Sequence, residues 1–162
     1  MKITLAQALK EKNRLAGELS KNWMMIAREN SKREGISRVI DVAETYKLLQ
    51  IYREKLVELK VKIGQANIGN LERIYRLEEC KSELARLESI KTTEDSDFQS
   101  IGNSTYKEFK RTVVFTAAQI YKMREKLQQE CNAIQDELDD YNASTKIEFE
   151  SPFTKSGKTI VS

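Results

Sequence analysis

Apolar residues recur three and four apart through most of the first ninety positions, the spacing that lines one side of an α-helix. Leu5, Leu9, Ala16, Leu19, Trp23 and Ile26 share one such face, and Thr4 with Gln7 forms a capping box. A first helix is therefore predicted from Leu5 to about Arg33, ended by Gly35 and Ser37. Within it, Trp23 to Ala27 is apolar most of the way round, which predicts burial on more than one side. Asp41 and Glu44 cap a second helix whose Leu49, Tyr52, Leu56, Leu59, Ile63 and Ala66 alternate three and four apart. That is a heptad seam nearly three repeats long, the pattern of coiled-coil packing. Gly69 is a natural C-cap and Asn70 a natural N-cap. The third helix carries Leu71, Ile74, Leu77, Cys80, Leu84 and Leu87 on its inner face.

After this the periodicity changes. Residues 91–104 (KTTEDSDFQSIGNS) are polar and turn-rich and predict a loop. Residues 105–115 (TYKEFKRTVVF) are rich in β-branched and aromatic types and predict a strand. Thr116 and Gln119 form a second capping box, which starts a helix at Ala117. Ile120, Leu127, Cys131, Ile134, Leu138 and Tyr141 form its apolar stripe, and Asn142 and Ser144 stop it. The following TKIEFE alternates as a half-buried strand does. Ser156-Gly157 is a plausible turn, and Lys158 to Val161 a further edge strand.

The predicted fold is mostly α with a small β-sheet: long antiparallel, coiled-coil-like helices plus a strand–helix–strand unit. It is expected as one elongated domain: three helices over 1–92, a loop over 93–104, strand–helix–strand over 105–150, and a tail or edge strand over 151–162. The predicted helix and strand lengths allow the two strands to lie parallel in one right-handed crossover. Strand 144–150 is equally free to pair with another subunit. Long helices with little interior of their own commonly complete their cores by oligomerising. Trp23, Leu49, Tyr52, Leu56, Leu59 and Ile63 are the candidate interface.

Composition narrows the chemistry. A third of the 162 residues are charged, one is proline and none is histidine, so the usual neutral-pH acid/base and the commonest metal ligand are missing. Cys80 and Cys131 fall on helical stripes and are expected to be buried, reduced thiols. No apolar run approaches the roughly 20 residues of a membrane span, and no signal-peptide core opens the chain. A soluble cytoplasmic protein without membrane contact is expected.

Three segments, ITLAQALKEKNRLAGEL, LVELKVKIGQAN and EFKRTVVFTAAQIYKMREKLQQECNAIQDELDDYNASTKIEF, carry a resemblance. Together they resemble the septicolysin-like family of small bacterial helical proteins over most of residues 1–150. The chain departs from the family pattern at NIGN, where the family usually carries a longer turn and a second asparagine. The resemblance implies a helix-rich fold, and the family has no established activity from which catalytic residues could be carried over.

Candidate chemistry is sparse. Glu78-Glu79 and Asp139-Asp140 are paired carboxylates, but neighbours on a helix point about 100° apart and rarely converge. No nucleophile–histidine pair, CxxC or phosphate-binding glycine loop is present, so no catalytic residue, cofactor or metal site is expected. Residues 1–40 hold nine basic and four acidic side chains, and residues 116–141 three basic and six acidic. The acids that crowd the last helix's carbonyl end oppose its dipole, so Lys21, Arg28, Lys32 and Arg33 are candidate counter-charges. Interleaved acids and the lack of an aromatic platform argue against nucleic acid. One anion-binding constellation stands out: the free N–H groups after Thr116 and Ala117, with Lys107, Lys110 and Arg111 on the adjoining strand. Arg111 and Lys107 are expected on the inward face with Phe109. The leading expectation is a non-enzymatic, self-assembling helical interaction protein. The alternative is an oligomeric binder of an anionic metabolite or nucleotide.

Overall fold

A computed structural model describes residues 1–100, 102 and 106–153 of the chain. It is mostly helical with two small antiparallel sheets. In order, the elements are β1 (Lys2–Thr4), α1 (Leu5–Glu29), α2 (Val42–Ala66), a 3₁₀ turn (Ile68–Asn70), α3 (Leu71–Ser89), β2 (Ser96–Ser100), β3 (Tyr106–Lys110), α4 (Ala117–Ser144) and β4 (Lys146–Glu148). The chain divides into two compact units. The first comprises Met1–Leu71 with the chain from Asp139 onward, and the second Glu72–Leu138.

In the first unit α1 and α2 pack together, and their seam is the core. Leu49, Tyr52, Leu56, Leu59 and Ile63 of α2 are all buried. Leu5, Ala8 and Leu15 of α1 meet Tyr52, Leu56, Leu59 and Ile63 in one cluster. The heptad spacing thus finds its partner within the chain. These five side chains are buried within the single chain and leave no surface for a second copy.

Chain ends close this core. β1 pairs antiparallel with β4, Ile3 opposite Ile147, and the Leu5 N–H donates to the Thr145 carbonyl at 2.8 Å. The parallel crossover predicted for the last strand is absent, as is any need for it to pair across subunits. A strand at the very start of α1 supplies an edge that length arguments alone did not reveal. Past β4, Phe149 and Phe153 are buried in the α1–α2 cluster. The Phe153 ring lies 5.2 Å from that of Tyr52, and the Arg14 guanidinium stacks over it at 3.9 Å. The turn and edge strand expected at Ser156 to Val161 lie outside the described residues.

The caps follow the sequence with two changes. Thr4–Gln7 and Asp41 cap α1 and α2 as expected, the latter accepting from the Glu44 N–H at 3.0 Å. However, α1 stops at Glu29 rather than near Arg33, and Gly35 turns the connection with φ of 80°. At the other end of α2, Asn67 in a right-handed conformation makes the C-cap, not Gly69, and one 3₁₀ turn leads into α3.

In the second unit α3 and α4 lie antiparallel. Arg73 pairs with Glu137 at 2.7 Å, and Arg124 with Glu88 further along. Leu77, Cys80, Cys131, Ile134 and Leu138 form the core between them. β2 and β3 form an antiparallel hairpin, Ser96 opposite Lys110 and Ser100 opposite Tyr106. The region predicted as loop therefore holds a strand, and the predicted strand 105–115 is shortened to Tyr106–Lys110. Thr112, Val113 and Val114 have β propensity but no strand to pair with, so propensity yields to context.

Leu59 is fully buried at the centre of the seam. Leu59→Ala is expected to cost about 2–5 kcal/mol in urea unfolding, the usual range for a buried leucine deletion. A loss within experimental error would show that the α1–α2 seam does not hold the first unit together.

Candidate functional site

The anion site anticipated around Thr116 is neutralised by the protein itself. Gln119 Oε1 accepts from the Thr116 N–H at 2.9 Å, and Thr116 Oγ1 accepts from the Gln119 N–H at 3.3 Å, so the start of α4 is a closed capping box. Arg111 lies beyond the end of β3, half exposed rather than buried inward. Its guanidinium pairs with Asp97 at 2.7 Å and Asp95 at 3.6 Å across the hairpin. Those two carboxylates raise its pKa above the ordinary arginine value, Asp97 foremost. Lys107 stacks its ammonium over the Phe109 ring at 5.4 Å, and both Lys107 and Lys110 are exposed. All five residues of β3 are exposed, so the inward face assigned to Lys107, Phe109 and Arg111 is not formed. The physical reason is the partner strand: β2 lies beside β3 edge to edge and covers neither of its faces.

The charge gradient also resolves locally. Lys21 pairs with Glu18 at 3.9 Å, and Arg28 and Lys32 with Glu29 at 3.1 and 2.6 Å. Glu137 near the carbonyl end of α4 is met by Arg73 of α3. Of the cations expected to serve the end of α4, Lys21, Arg28 and Lys32 are engaged on their own segment. Glu78, Glu79, Asp139 and Asp140 are exposed. Among the described residues, no three His, Cys, Asp or Glu side chains gather as a metal site would require.

Two features were missed by sequence reasoning. One is Glu29, a carboxylate 1% exposed at the end of α1. Besides its two cations it accepts the Val39 N–H at 2.9 Å, while Arg38 donates to its carbonyl oxygen at 2.9 Å. Glu29 thereby ties the whole α1–α2 connection to the helix end. Spacing places Lys32 three residues on, which reads as an ordinary surface pair. Only the returning backbone at Val39 makes it a buried node.

The other is a set of apolar side chains left outside the seam. Trp23 and Tyr46 meet edge to face with centroids 5.9 Å apart, yet are 50% and 47% exposed. The all-round burial predicted at Trp23 to Ala27 is therefore not met within the chain, and Met24 beside Trp23 is exposed as well. Along α2, Tyr46, Val57 and Val61 fall within about 60° of one another at 100° per residue, on a side turned away from the seam. All three are exposed. Elsewhere on α2, Leu48 and Ile51 line an open hollow of about 360 Å³ with Glu44, Thr45 and Lys47.

Comparison with protein-family models, curated proteins and solved structures returned no match. Among the described residues, no helix is long and apolar enough to cross a membrane.

The Glu29 carboxyl is held at about 2, below the ordinary 4.5, by the Lys32 ammonium first and the Val39 N–H second. A depressed carboxyl pKa supplies stability that is complete above the unfolded value and lost as pH falls toward the folded one. Glu29→Gln should melt below wild type at neutral pH. The gap should narrow between pH 4.5 and 2, where wild-type Glu29 itself becomes protonated. A gap that stays constant across that range would mean the charge of Glu29 is not what the fold uses.

Arg111→Ala should melt close to wild type, since exposed ion pairs contribute little. Inorganic phosphate and nucleotides should shift the melting of neither protein. A ligand that stabilises wild type and not the variant would restore Arg111 as a binding residue.

Proposed function

We propose that this chain is a non-enzymatic, self-assembling helical interaction protein that works in the cytoplasm by presenting an apolar helical face to copies of itself. The observation that carries this reading is three exposed apolar residues on one side of α2, Tyr46, Val57 and Val61, with Trp23 edge to face against Tyr46. Apolar groups on exposed helix faces lose contact with water when two such faces meet, at roughly 25 cal/mol per Å² removed. The candidate interface moves accordingly: Trp23 stays in it, while Leu49, Tyr52, Leu56, Leu59 and Ile63 belong to the core. The resemblance to the septicolysin-like family is part of this proposal and adds no activity to it. The alternative of an oligomeric anion binder loses support because Arg111 is matched by Asp95 and Asp97 and the α4 start by its own cap.

Light scattering tests the proposal directly. Wild type is expected at a multiple of 18.7 kDa at micromolar concentration. Val57→Lys/Val61→Lys should reduce that mass while leaving helical circular dichroism unchanged, because both positions are exposed on the single chain. A wild-type mass of 18.7 kDa would overturn self-assembly. A multimer untouched by the double variant would place the interface elsewhere.

A further inference from the structure

The second unit contains a pair of groups on which the proposed function does not draw. Cys80 and Cys131 are the chain's two cysteines, one on α3 and one on α4. Both are free thiols, and both are buried, at 6% and 3% exposure. They share one apolar cluster with Leu77, Ile134 and Leu138.

The ion pairs on either side fix their register. Arg73 opposite Glu137 and Glu88 opposite Arg124 align α3 and α4 as antiparallel neighbours. Cys80 lies about two turns beyond Arg73, and Cys131 just under two turns before Glu137. From the other pair the distances are again about two turns on each helix. The two thiols therefore stand opposite each other midway between the ion pairs, inside one buried cluster. A closed zinc site needs four ligands, and among the described residues not even three gather. Two facing sulfurs without further ligands suit a disulfide.

We propose that Cys80 and Cys131 form a reversible covalent staple between α3 and α4, closed by low-molecular-weight disulfides and reopened by thiols. In the first step one cysteine thiolate attacks the small disulfide, forms a mixed disulfide and expels one small thiolate. In the second step the other cysteine thiolate attacks the protein-bound sulfur, forms the Cys80–Cys131 bond and expels the second small thiolate. The two protons lost by the cysteines end on the two released thiols. Two protein thiols are oxidised and one small disulfide is reduced, so the exchange balances without a metal or oxygen.

Burial sets when this happens. Loss of solvent around Cys80, and then the negative charge of Glu130, push its thiol pKa up, so thiolate is scarce while the helices are closed. Reaction awaits a parting of α3 and α4, after which the bond prevents the next one. The staple closes a loop of roughly fifty residues, which restricts the unfolded chain and stabilises the second unit.

The full-length protein is incubated with oxidised glutathione, with and without a low urea concentration that favours opening, and analysed by intact mass and non-reducing peptide mapping. The expected product has lost two hydrogen atoms, retains no glutathione, links the Cys80 and Cys131 peptides, and reverts with dithiothreitol. Its melting temperature should rise by roughly 10 °C, and urea should speed its formation. Cys131→Ala should hold at most one glutathione and show no such rise. Two glutathiones retained on wild type, a linked product that melts no higher, or no reaction in urea would each overturn the proposal. The wild-type mass and peptide map decide the matter even where the alanine variant fails to fold.

Discussion

Tyr52, Leu56, Leu59 and Ile63 meet Leu5, Ala8 and Leu15 along one line, and the first unit stands or falls with that contact. Two helices of 25 residues each share a single seam, and of α4 only the last residues belong to that unit, where Tyr141 packs against the cluster. Such a pair is marginal by itself, because each helix hides one stripe and leaves the rest to water. The chain compensates at both ends of the seam. At one end β1 and β4 bind the termini together and Phe149 and Phe153 fill the gap beside Tyr52. At the other end Glu29 gathers Lys32, Arg28 and the Val39 N–H and fixes how α1 turns into α2. Both closures make sense only if the seam is already formed.

What could be read in the sequence was what repeats. A stripe sampled every three or four residues over 25 positions leaves a strong signal, so all four helices were legible, with the caps at Thr4, Asp41 and Thr116. The strands were not, for reasons of length and partner. β1 is three residues long and shows no alternation, and β2 reads SDFQS, a polar string that becomes a strand because β3 lies beside it. Asp97 and Arg111, fourteen positions apart, seal that hairpin through a contact no local pattern encodes. Conversely, TVVF looks like strand by propensity and is none, since pairing rather than residue type satisfies a strand's backbone.

The candidate site fared the same way. Lys107, Lys110 and Arg111 are neighbours in sequence, but spacing reports which residues are near and not which charges are already met. Arg111 is balanced by two aspartates from the stretch read as a loop. Glu29 shows the converse error. Flanked by Arg28 and Lys32 it resembles any solvated surface glutamate, and it is buried because the chain returns at Val39, ten residues later.

These local pairings bear on what kind of contact the chain can offer. Across α1, α2 and the hairpin, cations meet acids of their own or the adjoining segment: Lys21 with Glu18, Lys47 with Glu44, Lys62 with Glu58, Arg111 with Asp97. A surface built of short-range opposite pairs has little long-range field, because each pair falls off as a dipole and salt screens the remainder beyond roughly 10 Å. Steering of a charged ligand or a nucleic acid needs uncompensated charge of one sign, which each of these pairs reduces. Trp23, Tyr46, Val57 and Val61 undergo no such cancellation. Their exposed area has the same sign of free energy wherever it is buried, so it supplies attraction while the charged pairs around it limit which surfaces fit. These forces on the first unit are the physical basis of the proposal that the chain acts by contact and not by capture.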